Sequence, residues 1–180
     1  MRKRIKFGYI VSCMLILLSL CGCGPKGYDE VSDAGVWISL SDGEECGCYH
    51  RRGNWIYSGY FIGKPDDDRS YHPMQEIDVN TFMVCVGSDY SKDENYIFYP
   101  IESICEDGEY EDGTGWGGMY VRRYIVDGAD PKSFKYLGNG YGIDHRQMYH
   151  DGERIPWDYD VIKRTKEMSM SSEKICFEEY

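Results

Sequence analysis

The side chains able to do chemistry do not fall into a catalytic pattern along this chain. Its 180 residues include 31 Asp and Glu, 8 Cys and 4 His. His145 and His150 are five residues apart, which does not place both on one face of a helix, and no His-Glu-x-x-His sequence occurs. A Gly-x-Ser-x-Gly nucleophile turn is missing as well. The sequence therefore predicts no metal, no cofactor and no catalytic residue, in a protein that is not an enzyme.

Two acidic runs are the remaining candidates for ligand or substrate chemistry. Residues 66–68 are three consecutive Asp, and residues 106–113 are also rich in carboxylates. Both could collect oxygen ligands for calcium, but the second run lacks the calcium loop's Gly at position six and its terminal Glu. We interpret both runs as solvated loops. A glycosidase needs two carboxylates about 5–10 Å apart, and 31 candidates leave a glycan-acting hydrolase open as an alternative.

The first 22 residues have the features of an export signal. Residues 7–20 form an apolar run behind a basic tip, and as a helix they would span roughly 21 Å, less than the ~30 Å core of a bilayer. Such a segment is typical of a secretory signal. The following Leu20-Cys21-Gly22-Cys23 resembles the bacterial lipobox, in which the new N-terminal Cys is acylated. Because Gly22 precedes it, Cys23 is the predicted acceptor; an uncleaved anchor and a non-lipidated signal are the alternatives.

Charge limits the classes of partner. The formal net charge is −11, and cleavage before Cys23 would remove four basic residues and no acidic one, which leaves −15. Nucleic acid is excluded as a partner because its phosphates need basic patches. The same acidity should repel anionic headgroups, so we expect membrane contact through the N-terminal lipid alone, and an extracytoplasmic protein anchored to a bacterial membrane.

The cysteine count is odd once Cys23 is acylated. Five thiols would remain, so at least one is unpaired or pairs between molecules. Cys85 with Cys105 is the disulfide we favour, because the two residues flank one proposed repeat. Cys46-Gly47-Cys48 is predicted to be structural or unpaired rather than redox-active, and no second Cys pair completes a zinc site.

The body of the chain repeats. Residues 90–98 match residues 141–149, 51 positions later, and residues 49–57 form a weaker copy 41 positions earlier. Each copy begins with Tyr and ends with Ile or Met followed by Tyr or Phe. A lead-in at residues 78–82 recurs at residues 130–134.

Each copy is predicted to be a strand entered from a turn. Polar residues such as Asp93 favour the turn, and Ile97 and its aromatic neighbours favour the strand. Asp130-Pro131 predicts a capped helical turn through Phe134. Hairpin turns are predicted at Gly-containing pairs that supply a positive φ, namely residues 42–43, 58–59, 107–108, 112–113, 127–128, 139–140 and 151–152. We predict an all-β or β-dominated fold of short antiparallel hairpins with brief helical turns; the alternative is α+β, with a helix near residues 161–170.

Residues 90–99 (Tyr-Ser-Lys-Asp-Glu-Asn-Tyr-Ile-Phe-Tyr) resemble the repeat of the DKNYY family, and residues 127–137 are similar to that family's other recurring stretch. The copy at residues 141–149 keeps the flanks but reads Asp-His-Arg-Gln in place of the core. The resemblance covers roughly residues 77–155. It implies a bacterial, often exported repeat protein without an established activity, and it supplies no catalytic residues.

These observations predict a domain order and a function. Residues 1–22 are the signal, 23–45 a tether and the start of the fold, 46–165 the repeat domain (copies near 49–62, 78–104 and 130–155) and 166–180 a tail. Trp116, between two glycines in an acidic segment, is the aromatic side chain we expect at the surface. The matched rings are expected in the core: Tyr49, Tyr57, Tyr90, Phe98, Tyr141 and Tyr149. We predict a non-catalytic module that binds an envelope protein or a glycan; a glycan hydrolase and a structural envelope component are the alternatives.

Overall fold

The fold is built from short strands. The computed structural model describes residues 27–62 and 73–167, apart from the side chains of Tyr60, Phe61, Ile62 and Trp116. A 3-10 turn at Tyr28–Glu30 precedes the strands, and a helix at residues 159–167 follows them. The strands are β1 (Trp37–Ser39), β2 (Glu45–Cys46), β3 (Tyr49–Arg52), β4 (Trp55–Ile62), β5 (Met83–Cys85), β6 (Ser91–Lys92), β7 (Ile97–Glu109), β8 (Gly115–Ile125), β9 (Lys135–Gly138), β10 (Tyr141–Ile143), β11 (Met148–His150) and β12 (Glu153–Ile155).

Two antiparallel sheets contain all of these strands. The larger has the order β1-β5-β6-β7-β8-β4-β3-β2, and the smaller has the order β12-β11-β10-β9. The prediction of a β-dominated fold is therefore confirmed, and the helix of the α+β alternative is present as a single short element. No helix within the described part of the chain is long and apolar enough to cross a bilayer.

The sequence repeat is a structural repeat. We refer to β2–β4 as copy 1, to residues 78–82 with β5–β7 as copy 2, and to residues 130–134 with β9–β12 as copy 3. In the central hairpin of each copy the residue after the first Tyr pairs with the residue seven positions later: His50 with Tyr57, Ser91 with Phe98, and Gly142 with Tyr149. The three hairpins thus share one register, which fixes which side chains point to each face.

Each copy packs one face against the next copy. Tyr49 of copy 1 contacts Phe82 of copy 2 with ring centroids 5.7 Å apart, and Tyr90 of copy 2 contacts Phe134 of copy 3 at 5.1 Å. Within copy 2 the Phe82 and Phe98 rings are 6.1 Å apart and tilted by 44°. The equivalent rings of copy 3, Phe134 and Tyr149, have the same spacing and tilt.

The core is therefore divided between the layers. One buried cluster joins copies 1 and 2 around Phe82 and Phe98, and a second joins copies 2 and 3 around Tyr90 and Phe134. Of the rings expected in the core, Tyr49, Tyr90, Phe98 and Tyr149 are at most 1% exposed, whereas Tyr57 and Tyr141 are partly exposed. This layered packing, in which each unit contacts its neighbours, is the arrangement expected of a repeat protein.

The outer face of copy 3 is covered by the two ends of the described chain. Val161 and Ile162 of the helix, together with Val31 near the N-terminus, complete a third buried cluster on Met148. The N-terminal segment then runs back along the edge of the stack. Ala34 N donates to Tyr136 O at 2.8 Å in copy 3, and β1 next pairs with β5 of copy 2. The chain thus passes copies 3 and 2 before it forms copy 1.

Two of the predicted hairpin positions lie inside strands, and two others, residues 42–43 and 127–128, are turns that join strands which do not pair with each other. Ser58-Gly59 lies inside β4, which leaves β3 and joins β8 at this point. Gly59 has φ 135°, and the Met119 carbonyl occupies the space that a Cβ at position 59 would need. Only glycine fits here, and it allows β4 to change its partner strand instead of forming a turn. Asp107-Gly108 lies inside β7, because the hairpin closes later, at Asp112-Gly113.

Candidate functional site

The carboxylates that recur between copies are structural. Asp93 Oδ1 accepts hydrogen bonds from Asn95 N and Tyr96 N, both at 2.7 Å, and its Oδ2 accepts one from Asp78 N at 2.8 Å. Asp93 is 4% exposed. These three hydrogen bonds all come from backbone N–H groups of its own copy. The Asp at the fourth position of the copy therefore closes a turn and ties it to the lead-in.

Asp144 repeats this arrangement in copy 3. Its Oδ1 accepts from Arg146 N and Gln147 N at 2.7 Å, and its Oδ2 accepts from Asp130 N at 2.9 Å. Tyr149 Oη adds a fourth hydrogen bond at 3.1 Å. Copy 1 carries Arg52 at this position, and there Asp42, in the turn before β2, accepts from Gly53 N at 2.6 Å.

A Ser-His-Asp group in copy 3 was not anticipated from the sequence. Ser133 Oγ lies 2.7 Å from both Asp130 Oδ2 and His145 Nδ1, and His145 Nδ1 lies 3.1 Å from Asp130 Oδ2. In a catalytic triad the two ring nitrogens of His contact Ser and Asp separately. Here both partners meet the same nitrogen, so the imidazole cannot relay a proton between them.

The same group has a structural counterpart in copy 2. Thr81 Oγ1 lies 3.1 Å from Asp78 Oδ2 and accepts from Glu94 N at 3.2 Å, just as Ser133 accepts from His145 N at 3.4 Å. The hydrogen bond from Ser133 is the main reason why the pKa of Asp130 is lowered. These hydroxyls connect the lead-in to the hairpin turn, which explains why Thr or Ser recurs there.

The predicted disulfide between Cys85 and Cys105 is not formed. Both residues are free thiols; Cys85 is fully buried between copies 2 and 3, and Cys105 is exposed. β6 lies between their strands. In the strand register Tyr99 is the residue of β7 level with Cys85, and Cys105 lies six residues beyond it, or about 20 Å along β7. Burial, together with the nearby Asp33, raises the pKa of Cys85 to about 11. Cys46 and Cys48 are also free, in line with the prediction of unpaired thiols.

The main departure from the repeat is a long arm in copy 2. In copy 3 the last hairpin closes directly after β11, with a turn at Asp151-Gly152. In copy 2 the equivalent hairpin extends for 13 residues in β7 and 11 residues in β8. Functional residues are concentrated in such additions to a rigid scaffold. We therefore take β7, β8 and the part of β4 that pairs with β8 as the candidate functional site, and call it the arm.

The repeat framework holds the arm at its base. The second half of β4 pairs with β8 from Gly59 opposite Tyr120 to Ile62 opposite Gly117, so the arm is a three-stranded sheet. Arg123 Nη2 forms an ion pair with Glu153 Oε1 of copy 3 at 3.3 Å. The turn of copy 3 also packs on Tyr99, whose hydroxyl donates to Asp151 Oδ1 at 2.9 Å. Copies 1 and 3 thus fix the direction in which the arm projects.

One face of the arm is a shallow groove with a floor of glycine backbone. Its volume is about 450 Å³. A side chain at Gly117 would place Cβ 2.7 Å from Asp107 Oδ1, so the glycine makes room for that carboxylate. The residues that line the groove are Cys105, Asp107, Gly108, Gly115, Gly117, Gly118 and Met119.

The predicted site residues converge on the arm only in part. Cys105 and the acidic run at residues 106–113 belong to it, and the backbone of Trp116 lies in β8, although its side chain is outside the described residues. Cys85 lies in the core instead. Cys23, Cys176 and residues 66–68 are outside the described residues. Within residues 27–62 and 73–167 no three His, Cys, Asp or Glu side chains converge to hold a metal ion.

A second groove lies between the hairpin turn of copy 2 and the lead-in of copy 3. It has a volume of about 230 Å³ and is lined by Lys92, Glu94 and Lys132 among others. The Lys92 ammonium lies 4.0 Å from the centre of the Trp37 ring, and burial lowers its pKa. Lys92 therefore packs at the interface between the copies.

Comparison with protein-family models, curated proteins and solved structures found no match to this chain.

Proposed function

We propose that this protein is a lipid-anchored, extracytoplasmic repeat module of the DKNYY type that binds a partner without catalysing a reaction, and that the arm is its binding element. Cys23 carries the lipid in this proposal. The partner is a component of the bacterial envelope, since a tethered protein meets little else.

One contrast within the repeat carries the proposal. Where copies 2 and 3 agree, the matched groups are buried or bonded to the backbone, as Asp93 and Asp144 are. Where the copies differ most, copy 2 adds the solvent-facing arm. A stack of structural units with one long addition resembles the repeat proteins that bind through per-repeat insertions. The alternative of a glycan hydrolase receives no support from Asp93 or Asp144, because their oxygens are already occupied by backbone N–H groups.

Site-specific photo-crosslinking in cells tests the binding function. A photoreactive residue at position 107, on the arm, should give a reproducible cross-linked product in the envelope fraction. The same residue at position 54, in the exposed turn of copy 1, is the matched control and should give little. Equal yields from both positions, or none from position 107, would contradict the proposal that the arm binds. Turnover of any glycan in a substrate panel would replace it with the hydrolase.

Anchoring has a separate test. Cys23→Ser should move the protein from the membrane fraction to the soluble extracytoplasmic fraction. The substitution removes the acceptor of the acyl chains, and stable anchoring needs two or more of these chains. Cys21→Ser, two residues earlier, should leave the protein in the membrane fraction. A Cys23→Ser variant that stays membrane-bound would contradict the lipid anchor and leave the arm's binding function unaffected.

A further inference from the structure

Among the described strands, β6 pairs with only a small part of the outer edge of β7. β6 pairs with β7 only at Ile97 and Phe98, and β8 occupies the other side of β7. Among the described residues, no strand covers residues 101–109 on the β6 side. Pro100, which has no N–H to donate, stands where the pairing with β6 stops. The edge is about 30 Å long at ~3.3 Å per residue, and it offers N–H and C=O groups at alternate residues.

The exposed side chains along this edge have one sign of charge. Glu102, Asp107 and Glu109 are exposed, and no Lys or Arg occurs anywhere in residues 101–121. Unprotected edge strands tend to pair with other chains, and natural proteins often place charges on them to prevent it. Two copies of β7 cannot pair comfortably, because their carboxylates would lie opposite each other.

The same charges favour a strand of opposite sign. We propose that the free edge of β7 takes up an extended, lysine- or arginine-rich peptide segment as an additional strand of the arm; this inference rests on the proposed binding function and names the partner's chemistry. Main-chain hydrogen bonds supply the affinity in such strand addition, and alternate side chains supply the specificity. Every second side chain of the peptide would extend over the face that carries Asp107 and Glu109.

The glycine-floored groove supports this geometry. Gly117 and Gly118 lie directly opposite Asp107 and Glu106 in the β7–β8 pairing. The surface of the arm beside the acidic edge therefore has no side chains projecting from these two positions. A long Lys or Arg side chain can lie along such a surface with its stem on apolar atoms, such as those of Met119, and its charge at a carboxylate. A bulky residue at Gly117 would close this space.

The test uses a defined peptide and the mature, non-lipidated chain. The probe is a decapeptide of alternating Lys and Thr, titrated at low salt by fluorescence anisotropy, with hydrogen exchange of the bound state. We expect saturable binding, and slower exchange of amides in residues 101–109. A peptide of the same sequence with alternate backbone nitrogens methylated should bind at least tenfold more weakly, because it cannot pair with the edge on that side. Equal binding of the two peptides would show attraction by charge alone and overturn the proposal.

Variants separate the edge from overall charge. The triple variant Glu102→Gln, Asp107→Asn and Glu109→Gln should bind roughly tenfold more weakly. This is the effect expected from the loss of three exposed ion pairs of modest strength. The matched control, Asp29→Asn with Glu94→Gln and Asp127→Asn, removes three exposed charges elsewhere and should change binding by less than twofold. Equal weakening by both triple variants would overturn the proposal, as would strong protection of residues 101–109 in the free protein. A cross-link from position 107 to a partner without a basic segment would refute this inference and leave the proposed function standing.

Discussion

Asp144 accepts a hydrogen bond from the backbone N–H of Asp130 at 2.9 Å, and this bond ties the hairpin turn of copy 3 to its own lead-in. The equivalent pair in copy 2, Asp93 and Asp78, has the same bond at 2.8 Å. Within the turn the carboxylate accepts from the backbone N–H groups of Arg146 and Gln147, so it places no demand on the side chains of these two residues. This explains why Asn95 and Tyr96 can be replaced by Arg and Gln in copy 3 while the Asp is kept.

Replacement of this Asp should destabilise the fold. Asp144→Ala leaves three backbone N–H groups without their acceptor in a buried site, and each unsatisfied group costs about 1–3 kcal/mol. We expect a loss of at least about 3 kcal/mol in the free energy of unfolding, measured by urea denaturation, and a similar loss for Asp93→Ala. Asp127→Ala, at an exposed turn, should change it by less than ~0.5 kcal/mol. A small effect of Asp144→Ala would show that the turn closes without its carboxylate.

The contact between Gly142 and Phe134 predicts a substitution with a compensating partner. A Cβ at position 142 would lie 2.7 Å from Phe134 Cε2. Gly142→Ala should therefore destabilise the fold by about 1–3 kcal/mol through overpacking. In a Phe134→Leu background the same change should cost clearly less, because the shorter side chain leaves room.

Gly115→Ala is the matched control for this cycle. Its new Cβ would meet only Gly108 O, at 3.7 Å, which is an ordinary contact. It should change the free energy of unfolding by less than ~0.5 kcal/mol. Strictly additive costs for the two core substitutions would show that the ring and the glycine do not limit each other.

The thiols should differ sharply in reactivity. Cys105 is exposed, and Cys85 is 0% exposed, with its pKa raised to about 11 by burial. Because the thiolate is the reactive form, iodoacetamide at pH 8 should modify Cys105 in the folded protein and reach Cys85 only after denaturation. Peptide mass mapping measures both sites. A disulfide-linked peptide that contains Cys85 and Cys105 would contradict the structure.

Alkaline pH should weaken the fold. The neutral Cys85 thiol has a pKa of about 11 in the folded state against an ordinary 9.0, so its contribution to stability is full below pH 9 and is lost as the pH rises through 11. The size of this contribution is of the order of 2 kcal/mol. Burial raises the pKa values of Tyr49, Tyr90 and Tyr149 in the same direction. The urea midpoint should fall between pH 8 and pH 11, and by less in Cys85→Ala; a flat profile would contradict it.

The sequence predicted the units of the fold better than their assembly. The recurring Tyr, the polar residues after it and the Ile or Met seven positions later were sufficient to place the turn and the second strand of each central hairpin, because strand alternation and turn chemistry act over a few residues. The turn after Asp130 was also predicted: Ser133 N donates to Asp130 O and Lys132 N donates to Asp130 Oδ1, both at 3.2 Å, although residues 131–133 form a turn and not a helix. These features are local, and local features are visible in one sequence.

The arm and the ends depend on contacts that no local pattern contains. Asp107-Gly108 has the composition of a turn, yet pairing with β8 keeps it extended. Gly59 marked a turn in the sequence, and in the structure it marks the exchange of β3 for β8. Nothing near Tyr136 in the sequence indicates that Asp33, 103 residues earlier, would accept its backbone N–H. The free edge of β7 could not be foreseen, since it follows from which strands are neighbours.

The path of residues 27–39 determines the order in which this protein can be completed. Lys135 Nζ donates to Tyr28 O at 2.9 Å and to Val31 O at 2.8 Å, and Ile162 lies against Gly27. During synthesis these early residues emerge well before their partners, so they stay unpaired until the last copy and the helix have been made. Closure of the stack is therefore a late, long-range folding step. A chain interrupted before residue 135 would leave its own beginning exposed to proteases, which links the survival of the protein to its full-length synthesis.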